Sequence, residues 1–252
     1  MDTNSINKAS WNNHAERYQR NAKFSFDTVD YGIVNCLNES DLNLLGDVCG
    51  KKILELGCGG ANCGIALAKQ GAIVTCIDIS EKQIMLAKEN AASEKVNIEF
   101  IVSDIEEMNI GESKYDIVIS MAALGYIENI EKVFQNVKFT LKDRGIFVCS
   151  LPDATNACVT SKYLWNDPPE THSYFYTGPT KWKWEDDDDF EFVTYRKPIG
   201  EYINILTDMG FYIRKVYQLP EKLEKIESEQ DEFSILYPSI NVIKAVNVNI
   251  PL

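Results

Sequence analysis

The stretch Ile53-Leu54-Glu55-Leu56-Gly57-Cys58-Gly59-Gly60-Ala61 is an apolar run that ends in a glycine-rich turn. A helix-period segment follows it, Asp78 closes the next apolar run, and Asp104 lies just beyond a third. Strand, glycine turn, helix, strand and acid in that order make up one half of a nucleotide-binding doubly wound sheet. Glycines let backbone N–H groups approach a ligand closely, and a carboxylate after the second strand accepts hydrogen bonds from both hydroxyls of a ribose. The ligand implied is an adenosine compound.

Glycine spacing narrows the choice. A dinucleotide fingerprint needs a third glycine three residues after the second, so that a pyrophosphate can rest on the helix N-terminus, and here that place is Asn62. No Lys-Ser or Lys-Thr follows the glycines, which removes the phosphate loop with its ammonium and magnesium-binding hydroxyl. A ligand without phosphates is favoured.

Further motifs stand in register with the first. Glu55-Leu-Gly57-Cys-Gly59-Gly-Ala61, Thr75-Cys-Ile-Asp78-Ile-Ser80, Val102-Ser-Asp104-Ile105 and Tyr115-Asp116-Ile-Val-Ile-Ser120 together resemble the ordered motifs of class I S-adenosylmethionine-dependent methyltransferases. The resemblance implies an α/β fold with a doubly wound, mostly parallel seven-stranded sheet, an N-terminal helical lid and an insertion capping the site. It also implies S-adenosylmethionine as cofactor and S-adenosylhomocysteine as product. By resemblance Glu55, Gly57, Cys58 and Gly59 face the methionine end of the cofactor, Asp78 with Ile79 the ribose, and Asp104 with the Ile105 backbone the adenine. Tyr18, Ser120 and Met121 complete the implied cofactor set. Ala61 departs from the pattern, because a third glycine is common there.

The chain supplies the scaffold these motifs need. Lys52–Leu56, Ile73–Ile77, Ile98–Val102, Ile117–Ser120 and Ile146–Ser150 read as strands of a buried parallel sheet. Ser80 and Gln83 make a capping-box pattern before a helix with Ile84, Ala87 and Ala91 on one face. A second stripe, Ile130, Val133, Phe134, Val137 and Leu141, predicts a helix that Gly145 stops. Ile199, Tyr202, Ile203 and Leu206 predict another before Gly210, and the strands Phe211–Tyr217 and Asn241–Val246 are expected to close the sheet as an antiparallel pair. The layout is a single domain, 1–252, with a lid at 1–45, a cofactor-binding core at 46–151, a substrate cap at 152–195 and a C-terminal unit at 196–252.

Residues 152–194 break the rhythm: they are rich in Tyr, Trp, Pro and Asp and carry no long periodic segment. A loop of that length in a compact domain is usually functional. Trp11, His14, Ala15 and Tyr18 lie near helical spacing, which is a packing face or a lid over the cofactor. His14 and His172 are the only side chains that titrate near neutrality unperturbed, so they are the candidate bases. A surface or structural role is the alternative reading, and the favoured one for His172. Tyr126, Tyr174, Tyr176, Trp182, Tyr195 and Arg196 are the candidate acceptor-binding residues, with core packing as the alternative for the aromatics and an ion pair for Arg196. Glu185-Asp-Asp-Asp-Asp189 is read as a solvated acidic turn, and no metal site is expected.

Composition bounds the partners. A formal charge of −13 repels phosphate backbones, and the lysines are scattered among acids, so a nucleic-acid substrate is not expected. The seven cysteines show no Cys-x-x-Cys pair and lie largely in apolar runs, as reduced core thiols do. No apolar run reaches membrane length and the N-terminus lacks an apolar signal core, so a cytoplasmic protein is expected, free of the membrane. The expected reaction is methyl transfer to O or N of a small molecule. An NAD-linked oxidoreductase of similar fold and a noncatalytic adenosyl-binding partner subunit are the alternatives.

Overall fold

The computed structural model describes residues 2–22, 24–32, 37–163, 168–184, 189–220 and 235–248. Its helices are α1 (Thr3–Ala22), α2 (Glu39–Leu42), α3 (Asn62–Lys69), α4 (Glu81–Ser93), α5 (Ile130–Thr140), α6 (Ala154–Tyr163) and α7 (Ile199–Asp208). Its strands are β1 (Lys52–Leu56), β2 (Ile73–Asp78), β3 (Glu99–Val102), β4 (Tyr115–Ser120), β5 (Leu141–Pro152), β6 (Thr180–Trp182), β7 (Phe192–Thr194), β8 (Phe211–Leu219) and β9 (Ile240–Asn247). Seven strands form one sheet in the order β3-β2-β1-β4-β5-β9-β8, while β6 and β7 make a separate hairpin. β1 to β5 run parallel, and β9 pairs antiparallel with both β5 and β8. This is the doubly wound, mostly parallel α/β fold the sequence predicts. The order reverses between β1 and β4, which places a ligand crevice at their carboxyl ends.

Both faces of the sheet are covered, which is why the strands read as apolar runs rather than alternating ones. Side chains of one strand still alternate between faces. Ile53, Ile117 and Ile119 enter the core beneath α3 and α4, whereas Leu54, Leu56 and Val118 enter the core with Phe134 and Val137 of α5 and Leu206 of α7. The Ser80 hydroxyl accepts from the Gln83 N–H at 3.1 Å and caps α4 as expected.

Two sequence expectations need correction. Helix α5 ends at Thr140, not near Gly145, because Leu141 already pairs with Tyr115 as the first residue of β5. Gly145 therefore lies inside a strand, next to Arg144 at φ 58 and an irregularity in the β4 register. The segment 152–194 also carries regular structure: α6, a 3₁₀ turn at Pro169–His172 and the β6–β7 hairpin. Helix α6 escaped notice because ATNACVTSKY has no apolar stripe at helical period. The acidic run is outside the described residues from Glu185 to Asp188. Of the cysteines described, Cys58, Cys63, Cys76 and Cys149 are buried and all are free thiols. Among the described residues no helix is long and apolar enough to cross a membrane, and no group of three potential metal ligands occurs.

Candidate functional site

The carboxyl ends of β1, β2, β3 and β4 open into one cleft, which encloses about 1010 Å³ counted out to its solvent mouth. Its floor is the glycine turn after β1. Gly57 and Gly59 sit at φ 66 and φ 52, and the turn closes through hydrogen bonds from Cys58 N–H to Ile77 O and from Ala61 N–H to Cys58 O. Residue 61 also lies in the left-handed region, at φ 59, which explains why glycine is common at the position where this chain carries alanine.

Three acids face the cleft from successive strand ends, and the backbone holds each in place. Glu55 is fully buried in β1 and accepts from Gly64 N–H at 2.8 Å and from the Cys76 thiol at 3.3 Å. Burial pushes its carboxyl up to about 7 despite those bonds. Asp78 ends β2 and accepts from Gly59 N–H at 2.8 Å and Ser80 N–H at 2.9 Å, so it ties the glycine turn to the second strand. Burial raises its carboxyl, and those backbone N–H groups oppose the rise. Asp104 lies beyond β3 and accepts from Glu106 N–H at 2.8 Å and Asn4 Nδ2 at 2.6 Å. Each carboxylate oxygen has a second lone pair beyond these bonds, the chemistry a pair of hydroxyls or an exocyclic amine needs.

Helix α1 is the roof. It crosses the strand ends on polar ties: Asn12 Oδ1 accepts from the Ser80 hydroxyl at 2.7 Å, Gln19 donates to Gln83 at 3.0 Å, and Asn4 reaches Asp104. Trp11 and Tyr18 of its inner face line the cleft and meet edge to face at 5.1 Å, and Trp11 meets Tyr126 of the β4 loop in the same way at 5.3 Å. Burial holds the Tyr18 phenol up at about 12 and raises that of Tyr126 too, so both stay neutral hydrogen-bonding groups near pH 7.

Tyr18, Glu55, Gly57, Cys58, Gly59, Asp78, Ile79, Asp104, Ile105 and Met121 line the cleft together, as does Tyr126 among the acceptor candidates. Ser120 does not; it is buried behind the floor, where its hydroxyl donates to Leu56 O at 3.0 Å and joins β4 to β1. Neither histidine lines the cleft. His14 is buried on the flank of α1 next to Trp11 but outside the cleft, where its ring stacks on Trp184 at 5.3 Å and packs against Phe190 and Phe192, and Nδ1 pairs with Ser10 O at 2.8 Å. His172 ends the 3₁₀ turn in the cap and is half-buried. Trp11 and Tyr18 of α1 line the cleft, whereas His14, on the flank next to them, packs against the hairpin.

The other expected acceptor residues do not line the cleft and are held by contacts of their own. Trp182 stacks on Phe192 at 4.4 Å, Tyr195 pairs its hydroxyl with Thr3 at 2.9 Å, and Tyr176 donates to Pro179 O at 2.9 Å. Tyr174 meets Phe175 edge to face at 5.1 Å. Buried Arg196 donates to Thr171 O and lies over the Tyr176 ring at 5.6 Å, which fastens the cap to itself. Asn4, Gln19 and Asp30 line the cleft without a sequence signal, because isolated polar residues on a helix or in a loop carry no period of their own; Phe24 and Gln83 line it too. Among the described lining residues there are four carboxylates, Asp30, Glu55, Asp78 and Asp104, and no Lys, Arg or His.

A family model described as a methyltransferase domain matches residues 48–189, more than half of the chain. A ubiquinone biosynthesis O-methyltransferase of Coxiella burnetii is 34% identical over 131 residues, covering 50% of this chain and 56% of the relative. The chain thus spans little more than half the length of that relative. A ubiquinone biosynthesis O-methyltransferase of Glaesserella parasuis is 28% identical over 218 residues, covering 79% of this chain and 91% of the relative. The solved structure of an S-adenosylmethionine-dependent methyltransferase from Mesorhizobium loti has a TM-score of 0.62 at 22% identity, covering 81% of this chain and 94% of that one. That likeness is one of fold.

Proposed function

Because the chain belongs to the methyltransferase-domain family, we propose that it transfers a methyl group from S-adenosylmethionine to an oxygen or nitrogen of a small molecule. One observation carries the reading: the glycine turn, Asp78 and Asp104 line a single cleft whose described walls hold four carboxylates and no Lys, Arg or His. A dinucleotide would bring a pyrophosphate dianion against those acids with no cation to receive it, whereas a sulfonium is electrostatically matched. The residues present fit the cofactor: Asp78 would hold the ribose hydroxyls, Asp104 and the Ile105 backbone the adenine, and the turn at Gly57 to Gly59 the methionine end. Asn4 and Gln19 would close the roof over it.

When bound, S-adenosylmethionine supplies an already activated methyl group, so the protein needs no nucleophile of its own. Its residues orient and shield. Asp78 and the Gly59 N–H fix the glycine turn to β2, and α1 with Trp11, Tyr18 and Tyr126 excludes water from the roof, an alignment that is worth several kcal/mol in such reactions. Burial raises the Cys58 thiol to about 11, which keeps it protonated and out of competition as a methyl acceptor. Trp11, Met121, Tyr126 and Ile127 form the apolar wall on the β4 side, where a small acceptor would stand. The relatives named for O-methylation favour oxygen as the receiving atom.

The test is label transfer. Protein incubated with ¹³C-methyl S-adenosylmethionine and a panel of phenols and amines is followed by NMR for a new methyl signal and for S-adenosylhomocysteine. Product that needs both protein and acceptor supports the reading. Tight NADH binding with no adenosyl binding returns the chain to the oxidoreductase alternative.

A further inference from the structure

One carboxylate in the cleft has no part in the reading above. Asp30 stands in the segment between α1 and α2, where its backbone pairs with that of Asn38. It lines the cleft with Phe24, Gly32 and Cys63, and its charge acts on the Cys63 thiol in the first turn of α3, which puts it at the glycine-turn end rather than the Asp104 end. The other three acids each accept at least one backbone N–H. Asp30 is different. Its carboxylate accepts no hydrogen bond and joins no ion pair among the described residues, although it is half-buried and burial raises its pKa.

A partly desolvated carboxylate is retained at a cost unless a charge or donor meets it. Every other polar group at that end is neutral or acidic. We propose that Asp30 anchors a ligand ammonium group at the glycine-turn end of the cleft, an inference that rests on reading the cleft as the methyl-donor site. Two ligands bring such a group: the amino-acid tail of the donor, and an amine acceptor. In the acceptor role Asp30 sets specificity, by admitting a cation and repelling an anion.

Calorimetric titration of the wild type and Asp30→Asn separates the sources. The probes are S-adenosylhomocysteine, which has the ammonium, and 5′-methylthioadenosine, which lacks the whole amino-acid tail. A loss of about tenfold or more for the first with the second within twofold assigns Asp30 to the donor. The unchanged binding of 5′-methylthioadenosine also shows that the variant is folded. Equal affinity for S-adenosylhomocysteine, with binding of phenethylammonium to the S-adenosylhomocysteine-loaded wild type that Asp30→Asn abolishes, assigns it to the acceptor. Equal affinities of the two proteins for every probe overturn the proposal. A wild type that binds none of the adenosyl compounds defeats the donor-site reading instead.

Discussion

Gly57 meets the strictest steric demand in the cleft. A Cβ there would stand 2.3 Å from the Ala123 Cβ of the β4 loop, and its φ of 66 is unfavourable for any other residue. Gly57→Ala is therefore expected to cost about 2 kcal/mol or more, read from the urea midpoint, and to abolish adenosyl binding by moving the turn. Ala61 is the converse case: at φ 59 and with no exposure, Ala61→Gly relieves αL strain, offset by unfolded-chain entropy. Its melting temperature should stay level or rise; a clear fall would contradict the strain argument. At this scale the backbone demands of the turn were legible, since glycine is the one residue type that announces a conformation. Asp30 and Asn4 were not, because an isolated acid or amide reads the same on a solvated surface as in a cleft.

Helix α1 shows how much an element's role depends on what it faces. Asn7 accepts from Val193 N–H at 2.8 Å and donates to Val193 O at 2.9 Å, so one side chain serves β7 as a neighbouring strand would. Both groups are buried. Asn7→Ala leaves them unpaired and should cost roughly 2 kcal/mol, with faster hydrogen exchange at the Val193 amide. The histidines give the opposite expectation. His14→Gln and His172→Ala should leave the pH profile of turnover in place, and a lost limb in either profile would restore that residue as a base. The long buried strands were readable because continuous β-branched runs have few other homes in a covered sheet. The cap was not: α6 lacks a stripe, and aromatic residues that pack on α1 have the same composition as an acceptor wall.

The molecule as a whole should respond to pH through its buried acids. Glu55 titrates near 7 in the fold against 4.5 for the ordinary side chain, so between those values the folded state holds a proton the unfolded state has released. Stability from this group therefore falls as pH rises from about 4.5 to 7, by roughly 3 kcal/mol at 1.36 kcal/mol per unit. Glu55→Gln keeps an acceptor for Gly64 N–H and should flatten that part of the curve; an unchanged slope in urea titrations at pH 5 and 7.5 would reject it. The largely parallel sheet and a ligand cleft at its open end were legible in the spacing of motifs between residues 53 and 120, since alternating strands and helices with right-handed crossovers imply them; the strand order itself was not. How α1 comes to roof that cleft depends on contacts far apart in sequence, which no local pattern records. The most direct test of the donor cleft is calorimetric titration with S-adenosylhomocysteine, with NADH as control and Asp78→Ala alongside. Micromolar binding of the adenosyl compound, none of NADH, and at least tenfold loss in the variant is the predicted result. Tight NADH binding, or S-adenosylhomocysteine binding indifferent to Asp78, would contradict it.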